Sequence, residues 1–222
     1  CVLSIIGGFL DIYTYLCRGK VFANAVTGNM VLFGFHLANL EWGAGAKYLL
    51  AIFFYALGVF AAEYVHQKLP AAKRIGSHQS VLILEIACLA PVIFVPYGDF
   101  DFAVNSLISF VCALQVQTFR RVHGLPFAST MCTGNLRSGT EALFRHVTGK
   151  DRTELGKSLH YYLVIVCFIS GAAAGAVLLH RFGHFVFFLV PAGLLAVFFL
   201  VTTKRQFARV RGTFRKIFRK RA

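Results

Sequence analysis

Residues 21–30 read VFANAVTGNM, and the tripeptide Thr27-Gly28-Asn29 within them recurs 106 positions later as Thr133-Gly134-Asn135. This offset is close to half of the 222 residues. Each copy follows an apolar segment that carries a polar residue sixteen positions before the threonine, Asp11 in the first case and Gln117 in the second. Two further apolar segments follow each copy. The sequence therefore predicts two repeats with the same order of segments.

The composition excludes an ordinary soluble domain and a disordered chain. Hydrophobic residues make up 57% of the chain and charged residues only 14%, with 24 Phe among the aromatics. Soluble domains are about 25% charged and about 45–50% apolar, and disordered chains have few aromatic residues. We therefore expect a membrane protein.

The net charge of +14 is concentrated at one end of the chain. Nine of the 23 basic residues lie in the tail 204–222, directly after an apolar segment, and no acidic residue follows Glu154. Basic clusters beside a membrane helix meet anionic lipid, and the tail places apolar residues at helical spacing on the same segment. We predict a cytoplasmic tail that binds anionic lipid, and no nucleic-acid partner.

Six segments have about the length and apolarity of a membrane helix, which needs about 20 residues. They are 2–16, 44–65, 81–97, 102–119, 159–179 and 185–202. Two shorter segments, 27–40 and 133–146, begin with the repeated tripeptide, and the second of them is too polar to face lipid on all sides.

The distribution of Lys and Arg favours six spans over eight. Loops 66–78 and 120–126 carry basic residues, whereas loop 97–101 carries two acids and no base. Basic loops remain in the cytoplasm, so loop 97–101 is predicted to lie outside and the C-terminus inside. The two short segments must then enter and leave on one side as re-entrant half-helices. Arg18 and Lys20, which fall outside, are an exception to this scheme.

The predicted fold is all-α, a polytopic protein of the inner membrane with about six transmembrane helices and two re-entrant half-helices in inverted 3+3 repeats. Three crossings per repeat is an odd number, so the second repeat is inserted upside down. The predicted units are the first repeat 1–98, the second repeat 99–203 and the basic amphipathic tail 204–222. Small residues, Gly58 and Gly171-xxx-Gly175, predict close helix packing within the chain or in a homodimer.

The repeated tripeptides are the predicted substrate-binding residues: Thr27, Gly28, Asn29, Thr133, Gly134 and Asn135. A hydroxyl or amide can cap a helix start, and a helix start at membrane depth directs free N–H groups into a cavity. Two facing starts suit an anion or a polar neutral solute. The alternative is that these turns only pack the two repeats together.

Asp11 and Gln117 complete the predicted site. A carboxyl in a membrane span indicates proton relay or cation binding, but Asp11 could equally accept hydrogen bonds from a neighbouring helix end. The polar side chain of Gln117 suits the wall of a cavity or a contact between helices. Glu63 and Glu85 are predicted to pair at the surface, and Arg137, Glu141 and Arg145 to form a ladder of ion pairs.

Catalysis, metals and cofactors are not predicted. The six Cys and eight His residues show no spacing typical of metal or redox sites. No nucleophile–base pair stands out in the sequence.

The runs Gly7-Gly8-Phe9-Leu10-Asp11 and Val21-Phe22-Ala23-Asn24, together with the two tripeptides, resemble the YoaK-like family of bacterial membrane proteins. The resemblance extends over essentially the whole chain. It implies a polytopic inner-membrane protein and no established substrate or reaction. Where typical members have a Gln-Asn pair, this chain has Gln115-Val116-Gln117.

The sequence thus predicts a small-solute channel or secondary transporter with a central polar site, not an enzyme. One alternative is a membrane scaffold or sensor whose basic tail binds lipid. A weaker alternative is an intramembrane enzyme that uses Asp11 as its acid or base.

Overall fold

The structure, a computed structural model, describes residues 1–68, 77–119, 121–122, 125–126 and 132–203. Its helices are α1 (Val2–Cys17), α2 (Val26–Ala38), α3 (Trp42–Lys68), α4 (Ser77–Leu89), α5 (Asp101–Thr118), α6 (Cys132–Gly149), α7 (Arg152–Phe182) and α8 (189–203). Two-residue strands β1 (Arg121–Val122) and β2 (Leu125–Pro126) pair in antiparallel fashion. The predicted all-α class is confirmed. The tail 204–222 and parts of loops 66–78 and 120–126 lie outside the described residues.

The helices follow the apolar segments that the sequence marks. Short 3-10 turns, Ala90–Phe94 and Gly183–Phe188, extend α4 and precede α8. Two described helical stretches, Trp42–Lys68 and Arg152–Thr203, are long and apolar enough to cross a membrane. The segments that begin with the repeated tripeptides form the separate helices α2 and α6.

Helix packing joins the two halves of the chain. Helix α1 packs on α7, and α3 packs on α5, while α2 and α6 each pack on the helix that follows them. Glycines permit this approach: a Cβ at Gly171 would clash with the carbonyl oxygen of Ile5, and one at Gly58 with that of Phe110. The predicted role of these small residues in close packing is confirmed within the chain.

The largest cluster of buried apolar side chains lies between α1, α4, α5 and α8. The fully buried members include Leu82 on α4, Ile108 on α5 and Leu194 on α8. Tyr13 on α1 packs against Phe187 with ring centroids 4.5 Å apart. This cluster joins helices from both halves of the chain.

The interior of the protein is rich in polar side chains and much of its exterior is apolar. Buried polar residues in the described chain include Asp11, Asn29, Glu85, Asn105 and Gln115, whereas Phe53, Phe60, Val166, Ile169 and Phe199 are among the exposed apolar residues. Only about a quarter of the most apolar window in each long helix is buried, 22% and 28%. Water would be a poor solvent for such a surface.

Arg18 at the end of α1 is buried, and all three nitrogens of its guanidinium donate hydrogen bonds. Its guanidinium donates to the carbonyl oxygens of Val95 and Pro96 at 2.7 Å each, to the Asp101 carboxylate at 2.9 Å and to the Tyr13 hydroxyl at 3.0 Å. The ring of Tyr97 lies 4.5 Å from its central carbon. Arg18, which is an exception to the predicted distribution of basic residues, therefore has a partner in the acidic loop 97–101.

Candidate functional site

A cavity of about 440 Å³ lies where the first turns of α2 and α6 meet. Thr27 from the first tripeptide and Thr133 and Gly134 from the second share its wall. Helix α3 and one residue of α7 complete the wall, and the remaining described lining residues are Asn24, Ala25, Val26, Met30, Ile52, Tyr55, Ala56, Cys132 and Phe168. Two motifs that lie 106 residues apart in the sequence thus meet at one cavity.

The first tripeptide is held by its asparagine. The Asn29 side chain is buried, donates to the carbonyl oxygen of Phe22 at 2.7 Å and accepts from the Phe22 N–H at 2.9 Å. A Cβ at Gly28 would lie 3.1 Å from the Phe22 ring. Asn29 and Gly28 therefore fix α2 to the segment before it, and Thr27 is left facing the cavity.

The capping prediction is wrong for α2. This helix begins at Val26, and its N-cap, Ala25, provides no side-chain hydrogen bond. Thr27 already lies within the helix, and Asn29 bonds backward to Phe22 rather than to the first N–H groups of the helix. The first N–H groups of a helix have no partner in the regular helical pattern, and here those of Val26 and Gly28 donate to the carbonyl oxygens of Asn24 and Ala25 at 2.8 Å each.

Asp11 positions the turn before α2. Its carboxylate accepts a hydrogen bond of 2.6 Å from the backbone N–H of Asn24, whose side chain also reaches the carbonyl oxygen of Gly7 at 3.3 Å. Among the described residues, Asp11 is not part of the cavity wall, whereas Asn24 is. This geometry matches the structural alternative for Asp11. Asn24 was missed as a site residue, although it belongs to the motif Val21-Phe22-Ala23-Asn24.

The second tripeptide lies at the start of a more polar helix. Thr133 and Gly134 are exposed to the cavity side, while Asn135 is buried with 3% of its surface accessible. Gly139 on α6 lies against Tyr161 of α7. Helix packing therefore holds α6 in place.

The predicted ladder on α6 forms in part, two to three helical turns beyond the residues that line the cavity. Arg145 pairs with Glu141 at 3.0 Å and with Glu154 of α7 at 3.0 Å. Lys157 also pairs with Glu154. Next to them, the Asp151 carboxylate caps α7 through the N–H of Thr153 at 2.8 Å.

Gln117 lies away from the cavity, in contact with Glu63 near the end of α3. The neighbouring Gln115 donates to the Glu85 carboxylate at 2.9 Å. The prediction of a surface pairing for Glu85 is wrong, because this residue is completely buried. Helix α4 begins at Ser77, so Glu85 lies two turns inside it and faces α5.

The described cavity wall is uncharged. Its polar groups are the hydroxyls of Thr27, Tyr55 and Thr133 and the amide of Asn24, and the rest is apolar. Within the described residues, no group of three His, Cys, Asp or Glu side chains could hold a metal ion. The described wall can offer hydrogen bonds and apolar contact to a solute.

The sequence matches the model of a known protein family over most of its length. The model of a family described as a protein of unknown function, DUF1275, matches residues 1–201. No curated protein and no solved structure matches the chain significantly.

Proposed function

We propose a transport function for this chain, which belongs to the DUF1275 family of proteins of unknown function. In this proposal the protein crosses the inner membrane several times and passes a small uncharged solute, as a channel or secondary transporter. The observation that carries it is the shared cavity, which Thr27 and Thr133 of the two tripeptides line together.

The distribution of polarity supports a membrane location. Exposed Phe, Leu, Ile and Val residues cover the outer faces of α3, α7 and α8, while amides, carboxyls and hydroxyls lie inside. Large exposed apolar surfaces indicate contact with lipid or protein, and polar groups within a bilayer face the protein interior. A lipid environment suits both the apolar exterior and the polar interior of the protein.

The packing pattern supports an inverted repeat. If the relation exchanges α1 with α5 and α3 with α7, the contact of α1 with α7 becomes the contact of α5 with α3. The same exchange converts the α2–α3 contact into the α6–α7 contact. Transporters with inverted repeats bind solute near the midplane, where broken helices end.

Contacts between the helix ends support six spans. Arg18 after α1 pairs with Asp101 at the start of α5, and the ring centroids of Tyr97 and His184 lie 5.9 Å apart. The ends of α1, α4 and α7 and the start of α5 therefore share one side. On the other side Gln79 of α4 donates to Thr202 of α8 at 2.6 Å. This arrangement agrees with loop 97–101 outside and the C-terminus in the cytoplasm.

The uncharged wall favours a neutral solute over an anion. Cavities of about 300–1,000 Å³ hold small molecules through apolar contact and a few polar groups, and this one is about 440 Å³. Hydroxyls at Thr27 and Thr133 can bond a polar group of the solute from two sides. Ile52, Ala56 and Phe168 offer apolar contact to the remainder.

Liposome swelling with glycerol and urea tests this proposal. We expect vesicles that contain the full chain to re-swell faster than empty ones, and Thr27→Val and Thr133→Val each to lower that rate about fivefold. This factor corresponds to the loss of one hydrogen bond of about 1 kcal/mol. Thr148→Val is the matched control, because its hydroxyl is exposed and bonds only to its own helix.

Two outcomes contradict the proposal. Re-swelling at the rate of empty vesicles for both solutes removes the transport function for neutral solutes. Equal loss of rate in the Thr148→Val control removes the cavity as the solute path.

A further inference from the structure

Glu85 of α4 is a carboxyl in the centre of the protein with none of its surface accessible. Its Oε2 atom accepts one hydrogen bond, of 2.9 Å, from the side-chain amide of Gln115 on α5. Its Oε1 atom has no hydrogen-bond partner among the described residues. The chemistry of this residue therefore depends on which charged groups surround it.

The titratable groups around Glu85 are thiols and carboxyls. Cys88 on the same helix and Cys112 on α5 interact with it electrostatically. Asp11 of α1 interacts with the same Cys112 from the other side. Helix α8, which is also part of this core, has no titratable residue between positions 189 and 203.

Cations do not neutralise Glu85 within the part of the chain that the structure describes. Arg18, the buried cation among the described residues, pairs with Asp101 and with backbone carbonyls at the far end of α5. An ionised carboxylate with one hydrogen bond and no counter-ion is costly in an apolar interior. The neutral acid, by contrast, keeps the Gln115 bond and leaves only one hydroxyl to place.

We propose that Glu85 is a proton-binding site that controls the packing of α4 on α5. Its carboxyl carries a proton in the conformation described here. When the O–H bond breaks, the electron pair stays on the carboxylate and the proton passes to water. Because the resulting charge needs hydration, α4 then separates from α5 to admit that water.

The proton site lies one side chain from the cavity wall. The Cys112 side chain lies close to Glu85 and to the side chain of Asn24, which lines the cavity. A loosened α4–α5 contact therefore opens beside the cavity, which would couple the solute path to protons. This coupling rests on the proposed transport function, whereas the proton site stands on the packing of Glu85 alone.

Hydrogen exchange of residues 77–94 in the purified full chain, measured across pH, tests the proton site. After correction for the intrinsic exchange rate, we expect opening of α4 in the wild type to increase about tenfold per pH unit over the range in which the hydrated open state has lost the Glu85 proton and the closed state still holds it, since opening there releases one proton. Glu85→Gln should remove this slope, because an amide cannot ionise. Asp99→Asn, at an exposed acid, should keep the wild-type slope.

A slope in Glu85→Gln equal to that of the wild type overturns the proposal, as does a flat wild-type profile. Infrared spectra provide a second test: the wild-type minus Glu85→Gln difference at neutral pH should contain the C=O band of a protonated carboxyl. Its absence overturns the proposal. If the variant fails to fold, the wild-type exchange slope alone decides. Failure of liposome swelling leaves these expectations unchanged, so the two proposals can fail separately.

Discussion

The two tripeptide segments reach the same cavity but are held there by different means. In the first half, the buried Asp11 carboxylate and the Asn29 side chain bond to the backbone before α2. In the second half, Gln117 occupies the sequence position that corresponds to Asp11 but contacts Glu63 on α3. The two tripeptide segments therefore both line the cavity but differ in the contacts that support them.

This difference indicates where each half should be sensitive to substitution. The first segment depends on a few buried or partly buried hydrogen bonds, each of which satisfies a backbone group. The second depends on helix packing and on exposed ion pairs along α6 and α7. Buried bonds are costly to leave unmade, whereas exposed pairs contribute little.

The largest expected effect is at Asp11. Asp11→Ala leaves the buried N–H of Asn24 without its acceptor, which should lower the free energy of unfolding by about 1–3 kcal/mol. Gln117→Ala, at the corresponding position of the second repeat, should cost less than about 1 kcal/mol. Unfolding of both variants by sodium dodecyl sulfate in mixed micelles measures this. Equal losses would mean that the two segments are supported in the same way.

A smaller effect is expected at Asn29. Asn29→Ala removes both hydrogen bonds to the Phe22 backbone, so the free energy of unfolding should fall by about 1–2 kcal/mol. Asn39→Ala is the matched control, because its amide is exposed and bonds only to Phe35 of its own helix. The same detergent titration measures this. If the free energy of unfolding falls as much in the control as in Asn29→Ala, the hydrogen bonds between Asn29 and the Phe22 backbone do not stabilise the fold.

The smallest effect is expected at the junction of α6 and α7. Hydrogen bonds from the hydroxyl and the N–H of Thr153 hold the pKa of Asp151 below its ordinary value of 3.8. A lowered pKa means that this cap is complete above the ordinary value and is lost as pH falls through the folded pKa. In the wild type, hydrogen exchange at the start of α7 should therefore become slightly faster at acid pH. In Asp151→Asn this pH dependence should be weaker. Unchanged acid sensitivity in the variant would place its origin elsewhere.

The sequence predicts the helices well because apolar segments of sufficient length form helices wherever they are buried or in lipid. It also brings Thr27 and Thr133 together, since the repeat relates them. It fails at Glu85, because the apolar residues of α4 are spread around the helix and hydropathy does not show which face meets α5. It fails equally at Asn24 and Tyr55, whose place in the wall depends on how the turn before α2 and helix α3 pack.

The buried guanidinium of Arg18 has a consequence for biosynthesis. Its carboxylate partner, Asp101, lies 83 residues further along the chain, and its carbonyl partners lie 77 and 78 residues further. When α1 leaves the ribosome, none of these acceptors exists, so in the proposed membrane location the charge must remain at the water interface. We expect α1 to settle at its final depth only after α5 has been synthesised, which makes integration of the first helix a late event.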